Sequence, residues 1–361
     1  MSSDKKRIGL VTWDYAQPRG GMGRSLQWIA DALRADGQEI IVASPSSADP
    51  QDRIGSLSGR FGGQILFSLF LPFMLHGWIR KRKIESLIIP VGPGGVLLFL
   101  RPRVPVTVIT YHTYEQQSRL VPGQWWKKIF IPFERRAMLR AMRILTFCSD
   151  THAMLVNRYA LPAEKIRLLP HAIDIDAWQP SQTHEKGLCV CVARLEKRKG
   201  VEKLIKAWPL VIKEVPDARL VIVGEGIGAS SIDRTINRIG QSVRRIGSLP
   251  FDELRALVGR ADVAVCPSYL EGYGLAAAEA MAAGVAVVAT DCEGLRSLIK
   301  HDETGLLIRT DDTDNLARGI IRLLQQDGLR ERLARNARVF IRTECDPVRA
   351  TKALQGAAKT A

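Results

Sequence analysis

Short apolar, β-branched runs alternate with segments of helical period along most of the chain. RIGLVTW at Arg7–Trp13 is the first such run; a glycine-rich stretch follows, and Ser25–Asp36 predicts an amphipathic helix closed by Gly37. EIIVAS, SLIIPV, VTVITYH and ILTFCS are the next strand-like runs, with helix-period segments between them. Strands alternating with helices in this way predict a parallel sheet covered on both faces. That first half is expected to end near Leu168–Asp174.

The pattern then restarts. Residues 176–187 (DAWQPSQTHEKG) are polar, contain Pro180 and Gly187, and read as a linker. LCVCVAR predicts a new first strand, and RLVIVGEG, VRRIG, DVAVCPS and AVVATD predict four more. The expected fold class is therefore α/β, two doubly wound Rossmann-like domains at 1–175 and 176–345, facing each other across a cleft. Such sheets bind ligands at the carboxyl ends of their strands. From Asp314 onward the chain reads as helical, broken around Asp346–Pro347. Residues 346–361 form a final helix or tail expected to fray after Gly356.

Composition supports this division. At 361 residues, 46% of them hydrophobic and 25% charged, the chain has apolar material for two cores and is not a disordered polymer. Its six cysteines are too scattered for a disulfide scaffold. Cys189 and Cys191 share a strand face with no second ligand pair nearby, so they read as buried thiols of a reducing cytosol. MSSDKKRIGLVTW returns to polar residues too soon for a secretory signal and reads as a first buried strand.

The net charge of +15 changes the picture, because it is concentrated. Residues 60–143 hold 14 Lys and Arg against Glu85, Glu115 and Glu134. An anionic surface is the expected partner of that region, a membrane or a nucleic acid. Within it, Ile65–Ile79 (ILFSLFLPFMLHGWI) is almost wholly apolar and runs straight into Arg80, Lys81, Arg82 and Lys83. Fifteen residues interrupted by Pro72 and His76 fall short of the ~20 needed to span a bilayer. The run reads either as a buried helix with a solvated basic end or as an interfacial segment. Trp125-Trp126-Lys127-Lys128, followed by Ile129–Phe133 and Arg135-Arg136, has the composition of an interface anchor and favours membrane association.

Three stretches carry candidate chemistry. Arg19-Gly20-Gly21-Met22-Gly23-Arg24 lies between a strand and a helix, where glycines permit close backbone approach to a phosphate; a tight turn would use the same residues. It is not the dinucleotide GxGxxG, and no acidic residue ends EIIVASPSS to hold a ribose, which counts against a nicotinamide dehydrogenase. VARLEKRKG puts Arg194 at a strand end and Lys199 before Gly200 and a helix, two cations suited to a pyrophosphate; the alternative is a solvated basic turn. Glu271-Gly-Tyr-Gly-Leu-Ala-Ala-Ala-Glu279 then follows DVAVCPS. It sets Glu271 in a loop and Glu279 about a turn and a half into a small-residue helix, two carboxylates suited to accepting from sugar hydroxyls.

Arg194, Lys199, the Glu-x7-Glu of 271–279 and the AMAAG after it resemble glycosyltransferase family 4, retaining enzymes of the GT-B fold. SDTHAMLVNRYALPAEKIRLLPHAID, TDCEGLRSLI and ETGLLI fall in family order, so the resemblance covers nearly the whole chain. It implies a nucleotide-sugar donor held mainly by the second domain, with Arg194 and Lys199 on the diphosphate, Glu279 on the ribose and Glu271 on the sugar. The amides of Gly274, Leu275 and Ala276 would cap phosphate or sugar oxygens, and Gly20, Gly21 and Gly23 would bring first-domain backbone against diphosphate and acceptor. His112 falls where the family has a histidine near the anomeric centre. Two departures stand out: His171-Ala172-Ile173-Asp174 where the family has Asn-Gly before the Asp, and Ser297 where it has a Glu.

The resulting expectation is a retaining hexosyltransferase with no cofactor and no metal, because the paired cations take the place of a divalent ion. Its acceptor would be a lipid-linked or envelope glycan at the cytoplasmic face of the membrane, reached by peripheral association through Ile65–Lys83 and Trp125–Arg136. A soluble acceptor is the rival reading. A phosphorylase or epimerase of the same fold is a further enzymatic alternative. A non-catalytic or nucleic-acid-binding protein is the alternative of another class, disfavoured because no nucleic-acid module is present.

Overall fold

In the computed structural model, residues 5–12, 15, 21–45, 47–54, 61–91, 102–181 and 183–359 are described, with backbone alone at 61–70, 72 and 359. Gly20 and Trp13 therefore lie outside the described residues.

The chain divides into two compact units, each built on a six-stranded parallel sheet. The first comprises Met1–Arg119, Gly123–Pro170 and Val348–Ala361. Its strands are β1 (Arg7–Val11), β2 (Glu39–Ala43), β3 (Ser86–Pro90), β4 (Val106–Thr110), β5 (Arg143–Thr146) and β6 (Ile166–Leu168), in the order β2-β1-β3-β4-β5-β6. The second comprises Leu120–Pro122 and His171–Pro347. It holds β7 (Glu185–Val192), β8 (Arg219–Val223), β9 (Val243–Ile246), β10 (Ala261–Cys266), β11 (Ala286–Thr290) and β12 (Leu306–Ile308), in the order β12-β11-β10-β7-β8-β9. Both are the doubly wound α/β units expected from the alternation of strands and helices.

The near-continuous apolar runs follow from burial on both faces of each sheet. Along β7, Cys189 and Cys191 join one core with Leu220, Ile222, Val263 and Val265, while Leu188 and Val190 join the opposite core with Ala264 and Val287. All six cysteines are free thiols, five of them buried. In the first unit, Val11, Leu87 and Ile89 pack against Leu71, Leu75, Trp78 and Ile79.

Three boundaries differ from the sequence expectation. The unit division falls at 170/171, within the expected Leu168–Asp174, but residues 176–187, read as a linker, belong to the second unit, where Trp178 is buried in the core. The last helix, Pro347–Lys359, is not a separate tail. It continues through Gly356 and packs in the first unit, where Ala350 and Leu354 are buried and Gln355 Nε2 donates to Ala32 O at 3.1 Å. The helix after the glycine stretch begins at Gly21 rather than Ser25, so Gly21 and Gly23 form its first turn instead of a loop.

The apolar run forms one helix, Phe61–Arg82. Leu71, Leu75, Trp78 and Ile79 are core, while Phe73 and Met74 are exposed. Arg82 is anchored on Asp52 at 2.7 Å and on Asp49, leaving Arg80, Lys81 and Lys83 as the exposed basic end. Among the described residues no helix is long and apolar enough to cross a membrane.

Candidate functional site

Counted from the β9 edge, the second sheet runs 3-2-1-4-5-6, and its order reverses between β7 and β10. A crevice opens outside the carboxyl ends of strands at such a reversal, because the flanking connections leave in opposite directions. The two loops that leave there, 193–200 after β7 and 267–274 after β10, carry the charged residues singled out in the sequence.

Their approach is set by glycine. Gly200 has φ +63°, and a Cβ on it would lie 2.0 Å from the carbonyl oxygen of Pro267. No other residue lets these two loops touch. Tyr269 N then donates to Arg198 O at 2.8 Å, and Glu271 N donates to Glu293 O at 3.0 Å, fixing the second loop from both sides.

An ion cluster fills the junction. Lys199 Nζ donates to both carboxylate oxygens of Glu271, at 2.7 and 2.8 Å, and Ser268 Oγ donates to the same group at 2.7 Å. Arg198 is buried and donates from Nη1 to Leu270 O at 2.9 Å and from Nη2 to Glu196 Oε1 at 2.6 Å; its Nη1 lies 3.5 Å from Glu271 Oε2. Arg194 meets Glu196 at 3.3 Å with 44% of its side chain exposed. Burial alone would raise the Glu271 carboxyl, but the charges of Lys199 and then Arg198 outweigh it and hold the group below its ordinary value. Glu196 is likewise held down against its burial by Arg198, Arg194 and Lys199. Three cations against two carboxylates leave the cluster with one net positive charge.

Glu271 and Ser268 of this cluster line a small cavity together with Gly274 and Ala276, at the start of the helix Leu275–Ala282. Gly274 caps it at φ +97° with no side-chain cap, so the first amides, those of Leu275 and Ala276 among them, have no intrahelical acceptor. Glu279 is the fifth residue of that helix and is buried. Arg194, Lys199, Glu271, Gly274, Leu275, Ala276 and Glu279 are thus gathered at one reversal point of one sheet. A cation pair beside open helix amides can hold a diphosphate, and the carboxylates can accept hydroxyls.

His112 and the two described glycines belong to the first unit. His112 sits in the turn after β4, half-buried, with Nδ1 3.2 Å from Gln117 Nε2. Gly21 and Gly23 form the first turn of the helix Gly21–Ala35 that follows β1, Gly23 being buried. His171, one of the two departures, is buried and stacks on Tyr273 of the 271–274 loop, centroid to centroid 5.0 Å.

Four contributors escaped the sequence reading. Arg198 and Glu196 lie between the two cations that were singled out, and their alternation of sign was the available signal. Gly224, in the GEG that ends the β8 run, brings its backbone so close that a Cβ would lie 1.9 Å from Ala193 O. Lys203, in the first turn after Gly200, donates to Thr310 O at 2.6 Å and lies 4.0 Å above the Tyr269 ring; burial lowers it to about 8. Among the described residues no group of three or more His, Cys, Asp or Glu side chains is placed to hold a metal ion.

Comparison with known proteins gives a consistent answer. The family model described as Glycosyltransferase Family 4 matches residues 19–177, and that described as Glycosyl transferases group 1 matches 173–340. Glycogen synthase of Mycobacterium tuberculosis is 26% identical over 378 aligned residues, 94% of this chain and 91% of the relative. Phosphatidyl-myo-inositol mannosyltransferase of Mycolicibacterium smegmatis is 26% identical, covering 90% of this chain and 86% of its own length. Among solved structures, sucrose-phosphate synthase from Thermosynechococcus elongatus matches with a TM-score of 0.85 at 20% identity over 99% of both chains. WaaG, a glycosyltransferase involved in lipopolysaccharide biosynthesis, matches with a TM-score of 0.77 at 19% identity over 97% of this chain and 100% of its own. These structural likenesses carry the fold.

Proposed function

The chain belongs to glycosyltransferase family 4 and has the GT-B fold, and we propose that it transfers a hexose from a nucleoside diphosphate sugar to an acceptor hydroxyl with retention of anomeric configuration. The observation that carries this reading is the cluster of one net positive charge set against the open amides of Leu275–Ala282, at the reversal between β7 and β10.

Lys199 spends two of its three N–H donors on Glu271, and its third is available to a phosphate oxygen. Arg194, tied to Glu196 at 3.3 Å with its side chain 44% exposed, would supply the second cation for those oxygens. As the diphosphate leaves, negative charge grows on its oxygens while the sugar becomes oxocarbenium-like. Arg194, Lys199 and the amides of Gly274, Leu275 and Ala276 are already in place to stabilise that charge, with no reorganisation at the moment of reaction. Glu279 holds the ribose and Glu271 a hydroxyl of the donor sugar. By resemblance to the family, Gly20, Gly21 and Gly23 are assigned a role towards diphosphate and acceptor, and His112 one towards the anomeric centre. The paired cations supply the positive charge a divalent ion would otherwise bring, so turnover needs no metal.

The acceptor we assign is a lipid-linked or envelope glycan at the cytoplasmic membrane face, and a soluble acceptor is the second reading. The first is favoured by a helical path, Trp125–Phe130 into Ile131–Arg140, that exposes Trp125, Ile129 and Phe133 beside exposed Lys128, Arg135 and Arg136. Trp126 and Phe130 instead pack inward towards Tyr114, so the outward apolar residues are not a shortage of core.

Slow hydrolysis of the donor, followed by proton NMR in EDTA, tests the mechanism because water then serves as acceptor. The first-formed hexose should carry the anomeric configuration of the donor. An inverted first product, or turnover abolished by EDTA and restored by a divalent ion, contradicts it.

A further inference from the structure

We propose that Gln117 is a positioning residue that holds His112 as the neutral tautomer with its proton on Nε2, and that Lys127 fixes the orientation of the Gln117 amide. The inference rests on the reading that places His112 near the donor sugar.

The argument is one of donors and acceptors. Lys127 Nζ has three N–H donors and no acceptor, so the Gln117 atom it touches is the carbonyl oxygen Oε1. The Gln117 NH2 group then faces the other way, where it lies 3.2 Å from His112 Nδ1. An NH2 group can only donate, so Nδ1 accepts through its lone pair and the imidazole proton resides on Nε2. A proton on Nδ1 would set N–H against N–H. His112 therefore offers an N–H to an oxygen of the substrate and does not take up a proton from it.

The turn that carries His112 is rigid enough for this contact to matter. Thr151 Oγ1 donates to Tyr111 O at 3.2 Å, Thr113 N donates to Gln116 Oε1 at 2.6 Å, and Gln116 Nε2 donates to Thr151 Oγ1 at 3.2 Å. Both neighbours of His112 are thus pinned, and Gln117 N donates to Thr113 O at 3.1 Å within the same turn. Gln117 acts on the ring that this turn carries. Lys127 also lies 5.8 Å from the centroid of the Trp126 ring, within the aromatic and basic segment.

The test uses the full chain with 15N-labelled histidine. Two-bond proton–nitrogen spectra distinguish the tautomers, and six histidines are few enough for the His112 signals to be identified by their absence in His112→Gln. The wild type should show His112 with its proton on Nε2. In Gln117→Glu the carboxylate keeps Lys127 but accepts from the ring, so the proton moves to Nδ1 or both nitrogens become protonated. Gln117→Met, which fills the same space without a hydrogen bond, and Lys127→Met should each populate both tautomers. With the hydrogen bond to the ring removed, Gln117→Met should lose about tenfold in kcat with KM for the donor nearly unchanged. An unchanged His112 spectrum in folded Gln117→Glu overturns the proposal. A changed tautomer together with wild-type turnover in His112→Gln supports the positioning by Gln117 and overturns only the role given to His112.

Discussion

Lys199→Met keeps the length and apolar stem of the side chain and removes its charge, which makes it a clean perturbation of the junction between the β7 and β10 loops. The side chains of Lys199 and Glu271 are 17% and 11% exposed, so the pair is largely out of water. Removing one partner of such a pair costs about 3–5 kcal/mol, because a buried charge is left uncompensated. Arg198 at 3.5 Å and Ser268 at 2.7 Å still face Glu271, which places the cost near the lower end, about 3 kcal/mol. At ~2–4 °C per kcal/mol for a unit of this size, the transition of the second unit should fall by about 6–12 °C in scanning calorimetry. The sign with pH also follows. In the wild type the depressed Glu271 contributes stability above the unfolded carboxylate value and loses it as pH falls through the folded one. Without Lys199, burial drives the carboxyl to take up its proton at higher pH. The deficit of the variant should therefore be largest at neutral pH and shrink on acidification. Adding Glu271→Gln should restore most of the loss at neutral pH. A fall of less than about 2 °C, or a double variant as unstable as the two single changes summed, would refute the reasoning.

Arg194→Ala removes a half-exposed side chain with one ion pair, so stability should move by less than about 0.5 kcal/mol while affinity for a nucleoside diphosphate falls at least about tenfold in titration calorimetry. Unchanged affinity would remove Arg194 from the site. Glu134 is buried, accepts from Tyr114 N at 2.9 Å and from Tyr159 Oη, and is raised by that burial to about 8. The native state keeps its proton where the unfolded chain has lost it, so this group destabilises the fold as pH rises from the unfolded carboxylate value towards 8. Glu134→Gln should gain on the wild type across that window by up to about 1.4 kcal/mol per pH unit, and a flat difference in melting temperature would contradict it. Replacing Trp125, Ile129 and Phe133 together by Ser should abolish cosedimentation with phosphatidylglycerol vesicles without lowering the melting temperature. Binding that persists in the variant would remove these three residues from the membrane contact, and no binding by the wild type would point to a soluble acceptor.

The fold was legible because both sheets are buried on two faces, so ten of the twelve strands could be read, nine of them as near-continuous apolar runs and β9 as the mixed VRRI. The two that escaped, β6 and β12, are edge strands of three residues whose runs are too short to show a period. The partner of Pro347–Lys359 was equally invisible, because a helix's own periodicity gives its apolar face and not what that face meets. In the second unit, Arg194, Lys199, Glu271 and Glu279 were readable from spacing, since strand, turn and helix place them along a single reversal of the sheet. Arg198 was not. A buried arginine is indistinguishable in sequence from its basic neighbours Lys197 and Lys199, and only the return of the 267–274 loop brings it Leu270 O and the Glu271 carboxylate. The tautomer of His112 belongs to the same class, since it depends on Lys127, fifteen residues away in the chain.

The central claim, that the second unit holds a nucleoside diphosphate sugar without a metal, is tested most directly by thermal shift with UDP-, GDP- and ADP-hexoses in the presence and absence of EDTA. A ligand that binds only the native state raises the melting temperature by mass action. The account predicts a rise with one nucleotide class that survives EDTA and is lost in Arg194→Ala. No rise with any donor, or a rise that EDTA removes, would contradict it.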